Sequence, residues 1–477
     1  MSRIERDVAI IGAGTAGLAA ERAARKAGAT TILIDDRFAG TTCATVGCMP
    51  SKLLIAAGHA AHAVRTAGTF GIDAPPPAID GAAVMRRVRA QRDAFVAATI
   101  ETIDAIPEGI RRQGRARFRD ASTLALDDGT SVAARAIVIA TGSRPHVPEM
   151  FRVLGDRVLT NETLFELGTL PASIAVVGSG ILGLELAQAL VRLGVAVVVF
   201  DQKEAIAGLQ DDAVEAALRD ILSRELPFHL GVELVASLDD GQARLDWSGP
   251  TQGSQAFDYV LVAAGRPPAL DDLGLGDTGL SLDEHGVPLF DRRTMRCGES
   301  AIFLAGDADA DRPVLHEASA EGAIAGRHAA CYPTLTPADR GVAFSIMFTD
   351  PPVAIVGKQL GKQLGEAGAE RPVIGCSSYA DQGRAKVEGR NAGLVRIYAT
   401  PTDGRLTGAC LVGPGMDHIG HLFAWAIERG ETATALLRLP FYHPTFEEGV
   451  KSALRQICDT VHSALPSDRD DGAPPGG

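Results

Sequence analysis

Two cysteines, Cys43 and Cys48, stand five positions apart in the segment GTTCATVGCMPSKLL. A disulfide needs Cα atoms about 4.4–6.8 Å apart, closer than a regular helix brings such a pair, so the chain around Cys43 must be irregular. Gly47 permits that bend, and Pro50 suits the first turn of a helix but not its middle. The spacing predicts a helix that begins near Cys48. A thiol placed there faces the positive end of the helix dipole, which lowers its pKa from about 8.5 and favours the thiolate. Taken alone, such a pair is more often two reduced, half-buried thiols. No second Cys or His pair at ligand spacing lies nearby, so no metal site is expected.

Thiol exchange also moves protons, and the distant segment FYHPTFEEGVKSAL holds a candidate carrier. His443 can exchange a proton near neutrality, since imidazole titrates at about 6.5. Glu448, five residues on, can fix the ring in one tautomer and stabilise the imidazolium. By itself, a histidine before proline is usually a surface turn.

The elements around these residues carry a repeated pattern. DVAIIG, residues 7–12, is an apolar strand that runs into Gly12, Gly14 and Gly17 and then into the helical LAAERAARKAG. Strand, tight turn and helix let a backbone approach a pyrophosphate that faces the positive helix end. A second strand, TTILID, brings Asp35 twenty-three residues after Gly12, where a carboxylate accepts the hydroxyls of an adenosine ribose. One such motif is weak. Here it recurs as SIAVVG, Gly178, Gly180, Gly183 and VAVVVFD, which ends at Asp201 with the same spacing. Two dinucleotide sites imply two dinucleotides that exchange electrons, and the two acids favour FAD and NAD over a 2′-phosphate carrier. Three further apolar runs, AIVIATGSRP, VLVAAGRPP and AIFLAGDAD, return the chain to its sheets; the last ends near Asp307, which can hydrogen-bond ribityl hydroxyls.

At 477 residues the chain is long enough for about three domains. Its net charge of −13 excludes a phosphate-backbone partner, so no nucleic acid is expected. No run approaches the ~20 apolar residues of a membrane helix and no leader pattern opens the chain, which reads as cytoplasmic without a membrane partner. Seven cysteines are too few for a disulfide scaffold in a chain of this length, so any disulfide should be functional.

Together these motifs resemble the pyridine nucleotide-disulfide oxidoreductases, and within that family the sequence is most similar to dihydrolipoyl dehydrogenases. The resemblance rests on GAGTAG and GSGILG, GCMPSK, the ATG of IVIATGSRP, the LAGD of AIFLAGDAD and HPTFEE, and it covers nearly all of residues 5–465. It implies an α/β fold with two Rossmann-like dinucleotide-binding domains and a C-terminal α+β dimerisation domain. Residues 1–149 and 271–339 would form the FAD-binding and central parts, 150–270 the NAD domain and 340–465 the interface; the polar stretch 466–477 reads as a disordered tail.

The same resemblance implies site residues. Cys43 and Cys48 would be the redox disulfide, with Cys48 against the flavin and Cys43 nearer the outside, and Lys52 and Glu185 an ion pair beside the flavin. FAD would meet Gly12, Gly14, Gly17 and Asp35 in the first unit and Thr42 and Lys52 near the cysteines. Gly114 and Ala116 would lie near the adenine, while Thr141, Gly142, Ser143, Asp307, Leu315 and His316 complete that cradle. NAD would meet Gly178, Gly180, Gly183, Glu185, Asp201 and Gly265. A homodimer would share its active site, with His443 and Glu448 reaching the cysteines of the other subunit.

The implied activity is oxidation of dihydrolipoamide, possibly borne on a lipoyl carrier protein, with reduction of NAD. Two departures bear on substrate access: the cysteine block opens GTTC where GGTC is common, with Thr45 where an asparagine is common, and Phe441 and Tyr442 stand where His and Ala are. Reduction of another small disulfide or of mercuric ion is the alternative enzyme, although only Cys458 lies where mercuric reductases usually carry a cysteine pair. A non-catalytic FAD-bound redox sensor or assembly partner is the alternative of another class.

Overall fold

The computed structural model describes residues 3–365 and 370–463, so the tail expected at 466–477 lies outside the described residues. The chain opens with β1 (Arg3–Ile11), α1 (Thr15–Lys26) and β2 (Thr31–Asp35). Val8 to Ile11 are all buried because this strand is central, flanked in parallel by β2 and, later, by β6. A strand covered on both faces needs a continuous apolar run.

The chain then leaves the sheet through α2 (Thr42–Thr45), α3 (Cys48–Thr66) and α4 (Gly81–Asp104). It returns as β3 (Arg111–Gln113), β4 (Ala116–Asp120), β5 (Thr123–Leu126) and β6 (Ser131–Ile139), in the spatial order β3-β2-β1-β6-β5-β4. The helix predicted near Cys48 begins at that residue, with Gly47 as its N-cap.

The second unit repeats the arrangement with β7 (Val158–Leu159), β8 (Ser173–Val177), α5 (Ile181–Arg192), β9 (Ala196–Asp201), α6 (Asp212–Leu222) and β10 (Phe228–Leu230). An antiparallel group, β11 (Glu233–Asp239), β12 (Gln242–Ser248) and β13 (Gly253–Phe257), precedes β14 (Tyr259–Val262), and the parallel sheet reads β10-β9-β8-β14-β7. The chain then rejoins the first sheet: β15 (Ile302–Leu304) pairs in parallel with β6, and α7 (Leu315–Cys331) packs along α1.

The last part is an antiparallel sheet of β16 (Phe344–Met347), β17 (Val353–Gly357), β18 (Val373–Ser378), β19 (Leu394–Ala399) and β20 (Leu406–Val412), in the order β16-β17-β20-β19-β18. The helices α8 (Leu360–Gly365) and α9 (Gly383–Val387) lie between its strands in sequence, and α10 (Met416–Glu428), α11 (Ala433–Leu437) and α12 (Lys451–Thr460) follow it. Ile419 and Phe423 of α10 and Leu454 and Ile457 of α12 close its core against Val395, Ile397 and Leu411. This is the expected α/β class with two Rossmann-type units and a C-terminal α+β part.

Candidate active site

Both glycine turns divide their labour in the same way. A Cβ on Gly12 would lie 2.3 Å from Ala140 O, and one on Gly17 would lie 1.8 Å from Gly12 O, so packing within the chain forbids any side chain at either position. In the second unit Gly178 and Gly183 meet the same limits, at 2.5 Å from Ala263 O and 2.0 Å from Gly178 O. Gly14 and Gly180 differ, since a Cβ there would meet nothing within 4 Å. Each stands at the N-cap of its helix, α1 or α5. Their bareness serves open ground at a positive helix end, which suits a pyrophosphate.

The two acids have a structural task that sequence reasoning missed. Asp35 accepts N–H bonds from Ala13 at 2.8 Å, Arg37 at 3.0 Å and Phe38 at 2.8 Å. Asp201 accepts from Ser179 N at 2.6 Å, Ser179 Oγ at 2.7 Å and Lys203 N at 2.8 Å. Each carboxylate therefore ties its glycine turn to the end of the second strand, and with about four acceptor sites it retains room for about one further donor.

The remaining residues expected at a dinucleotide fall into two groups. Gly114 N donates to Asp35 O at 3.0 Å, so it adjoins the first acid, whereas the Ala116 side chain is buried in the core. Thr141 Oγ1 is buried without a hydrogen-bond partner among the described residues, an orphan that a bound ligand can satisfy. Beside it Gly142 and Gly265 face open space, and Ser143 Oγ donates to Asp307 Oδ2 at 2.8 Å. Leu315 and His316 are exposed in the first turn of α7, and Thr42 is exposed at the start of α2. The orphaned hydroxyl and the bare turns fit FAD in the first unit and a nicotinamide dinucleotide in the second.

The cysteines meet across an irregular turn. Cys43 lies in α2, Cys48 opens α3, and a Cβ on the intervening Gly47 would approach Thr42 O to 2.9 Å. The two thiols set each other's proton affinity, with protonated Cys43 acting as hydrogen-bond donor to the Cys48 thiolate. That bond, the Lys52 charge and the backbone at the helix start outweigh burial and the opposing Glu185, and they pull Cys48 down to about 6. Cys43, as donor to Cys48 and part-buried, is pushed well up and keeps its proton. Lys52 Nζ lies 2.7 Å from Glu185 Oε2 and 4.7 Å from the centre of the Phe348 ring, while Glu185 Oε1 accepts from Phe348 N at 2.8 Å. Within one chain Cys48 is exposed and Cys43 half-buried. The helix α4 lies across α2 and brings Val96 and Thr99 against Gly40.

His443 stands apart from this pair within one chain, and among the described residues no hydrogen bond or ion pair joins it to segment 41–52. Its Nδ1 lies 3.0 Å from Glu448 Oε2 and 3.3 Å from Oε1. The carboxylate is 8% exposed and the imidazole 60%, so a buried base holds an outward-facing ring. Thr445 N also donates to Glu448 at 3.2 Å. Next to His443 an apolar cavity of about 920 Å³ is lined by Leu422, Trp425, Leu439, Phe441 and Tyr442.

Two residues that the sequence motifs do not point to, Asn161 and Arg266, bridge the flavin-side turn and the cysteine loop. A polar residue that acts through partners more than a hundred positions away leaves no local signal, although Arg266 does follow the apolar run VLVAAG directly.

Comparison with known proteins gives the same picture. Residues 6–323 match the pyridine nucleotide-disulphide oxidoreductase family, and residues 343–454 match its dimerisation domain. The chain is 31% identical over 473 residues to dihydrolipoyl dehydrogenase 3 of Pseudomonas aeruginosa, covering 96% of this chain and 98% of that protein. It is 31% identical over 476 residues to mercuric reductase of Streptomyces lividans, covering 95% and 97%. Among solved structures, LpdA of Mycobacterium tuberculosis superposes with a TM-score of 0.80 at 23% identity, over 96% of this chain and 100% of that one. The HOCl-induced flavoprotein disulfide reductase RclA of Escherichia coli gives 0.79 at 21%, over 94% and 99%. At these identities the two structures establish the fold alone.

Proposed function

The chain belongs to the pyridine nucleotide-disulphide oxidoreductases, whose cofactors are FAD and NAD(H), and from that premise we propose that it oxidises a dihydrolipoyl dithiol and delivers the electrons to NAD. The observation that carries this reading is the thiol pair, in which Cys48 ionises near 6 while Cys43 holds its proton. Gly12, Gly14, Gly17, Thr141, Ser143 and Asp307 would hold FAD, and Gly178, Gly180, Gly183 and Asp201 would hold NAD. FAD, when bound, supplies two-electron transfer between the thiol pair and the nicotinamide, which no side chain here can perform.

The protein's own part is thiol exchange. A substrate thiol gives its proton to Nε2 of His443 of the partner subunit and attacks Cys43 Sγ of the Cys43–Cys48 disulfide. That S–S bond breaks and Cys48 departs as thiolate, a good leaving group because of its low pKa. The second substrate thiol then attacks the substrate sulfur of the mixed disulfide and closes the product disulfide, and its proton passes to Cys43. Two electrons and two protons have left the substrate: the electrons reduce the pair, one proton rests on His443 and the other on Cys43. Glu448 holds Nδ1–H and stabilises the imidazolium. Asp201 accepts a ribose hydroxyl and repels a 2′-phosphate, which favours NAD.

A second reading, NAD(P)H-driven reduction of another small disulfide or of mercuric ion, is favoured by Tyr442, 82% exposed beside His443, which narrows the approach of a carrier-borne group. Against mercuric ion stands Cys458, wholly buried and in contact with Thr434 Oγ1 at 3.3 Å. The test is NAD reduction by dihydrolipoamide in FAD-loaded protein, with NADP, glutathione disulfide and mercuric ion in parallel and a C48S control. An unchanged rate in C48S sinks the thiol relay. An inert lipoamide with normal reduction of the pair by NADH keeps the relay and moves the substrate to the second reading.

A further inference from the structure

The loop between the two cysteines is held from a distant part of the chain. Asn161, buried just beyond β7, donates from Nδ2 to the carbonyl oxygen of Val46 at 2.9 Å. Val46 ends α2, two residues before Cys48. Arg266 Nη1 donates to Asn161 Oδ1 at 2.8 Å, which fixes the amide with its donor end toward the loop. Arg266 also donates through Nη2 to Ser143 O at 2.9 Å and through Nε to Ser143 Oγ at 3.2 Å. Ser143 Oγ completes the series by donating to Asp307 Oδ2 at 2.8 Å. Every step has a defined donor and acceptor, so no member can turn without stranding its neighbour, and a stranded buried polar group is costly.

We propose that Asn161, anchored by Arg266, is a positioning residue that sets the geometry of the Cys43–Cys48 loop and thereby the disulfide–dithiol equilibrium of the pair. This rests on the reading of that pair as redox-active. Disulfide stability depends on how closely the fold holds the two sulfurs, and the connecting turn is so tight that a Cβ added to Gly47 would lie 2.9 Å from Thr42 O. The Asn161 tether restrains the Val46 carbonyl inside that turn. Without it the sulfurs meet less often, the disulfide is more easily reduced, and Cys48 loses part of the Cys43 hydrogen bond that stabilises its thiolate.

Asn161→Asp separates tethering from packing. The carboxylate keeps an acceptor for Arg266 but offers Val46 O no donor. FAD-loaded full-length protein is equilibrated with reduced and oxidised dithiothreitol and alkylated, and the state of Cys43 and Cys48 is read by mass spectrometry. The exchange constant of N161D should shift toward the dithiol by about tenfold, which is ~30 mV for a two-electron couple, and its Cys48 alkylation profile should move to higher pH. Arg266→Gln, which frees Asn161 without removing it, should shift the constant in the same direction by about threefold, and it decides the matter if N161D does not fold. Wild-type constants and profiles in these variants overturn the proposal, even where thermal stability falls, because Asn161 would then be structural only. A wild-type pair that stays dithiol under fully oxidising buffer instead removes the redox reading on which the inference stands.

Discussion

A thiol that ionises near 6 is thiolate at neutral pH, and its neighbours must supply the difference from an ordinary cysteine. Lys52 and Glu185 act on Cys48 with opposite signs. Because the pKa is lowered, the thiolate is present above about 6 and lost as the pH falls through that value. Lys52→Met should therefore move the midpoint of Cys48 alkylation up by about one pH unit, and Glu185→Gln should move it down. A shared direction in the two profiles would reject this electrostatic account. The imidazole is governed by a different group, since Glu448 is its buried partner at 3.0 Å. Glu448→Ala should lower kcat for dithiol oxidation by about 10²-fold, at the lower end of the range for general acid–base catalysis, with reduction of the pair by NADH unaffected. Equal losses in both half-reactions would count against the proton-carrier role.

The glycine turns show how one motif mixes packing with binding, and substitution can separate the two. Gly14 has ordinary φ/ψ values of −74° and −173° and open space around its Cβ position, so Gly14→Ala should leave the thermal midpoint of cofactor-free protein unchanged. It should weaken FAD retention after gel filtration by at least about tenfold, the equivalent of ~1.4 kcal/mol. Gly17→Ala drives a methyl to 1.8 Å from Gly12 O and should destabilise the unit by ~1–3 kcal/mol or more, with or without cofactor. If G14A unfolds like G17A, the open ground at Gly14 has no binding role. These turns were legible in the sequence because spacing and strand hydrophobicity are local. The crossing of α4 over α2 was not, since it is set by tertiary packing. The backbone bonds to Asp35 and Asp201 were hidden for a related reason: a carboxylate at a strand end reads the same whether it meets a ribose or an N–H group.

The whole molecule raises the question of how His443 reaches a thiol pair to which no hydrogen bond or ion pair among the described residues connects it. Contacts that join β15 to β6 or Asn161 to Val46 span more than a hundred residues, so topology fixes them and no local pattern announces them. The apolar face beside His443, with Leu422 46%, Trp425 62% and Leu439 59% exposed, lies in the part that matches the family's dimerisation domain. A second copy seated there would bring His443 of the partner subunit toward the cysteines. Subunit mixing gives the decisive count. C48S and H443A homodimers should each be inactive, yet a heterodimer of the two carries one site with Cys48 from one chain and His443 from the other, and one site with neither. Differently tagged chains, co-expressed and purified as the heterodimer, should therefore recover about half of the wild-type rate per dimer if catalysis crosses the interface, because a single general acid–base group is worth about 10²–10⁴-fold and the defective site contributes almost nothing. If each chain used its own histidine, both sites of the heterodimer would be broken and no activity would return.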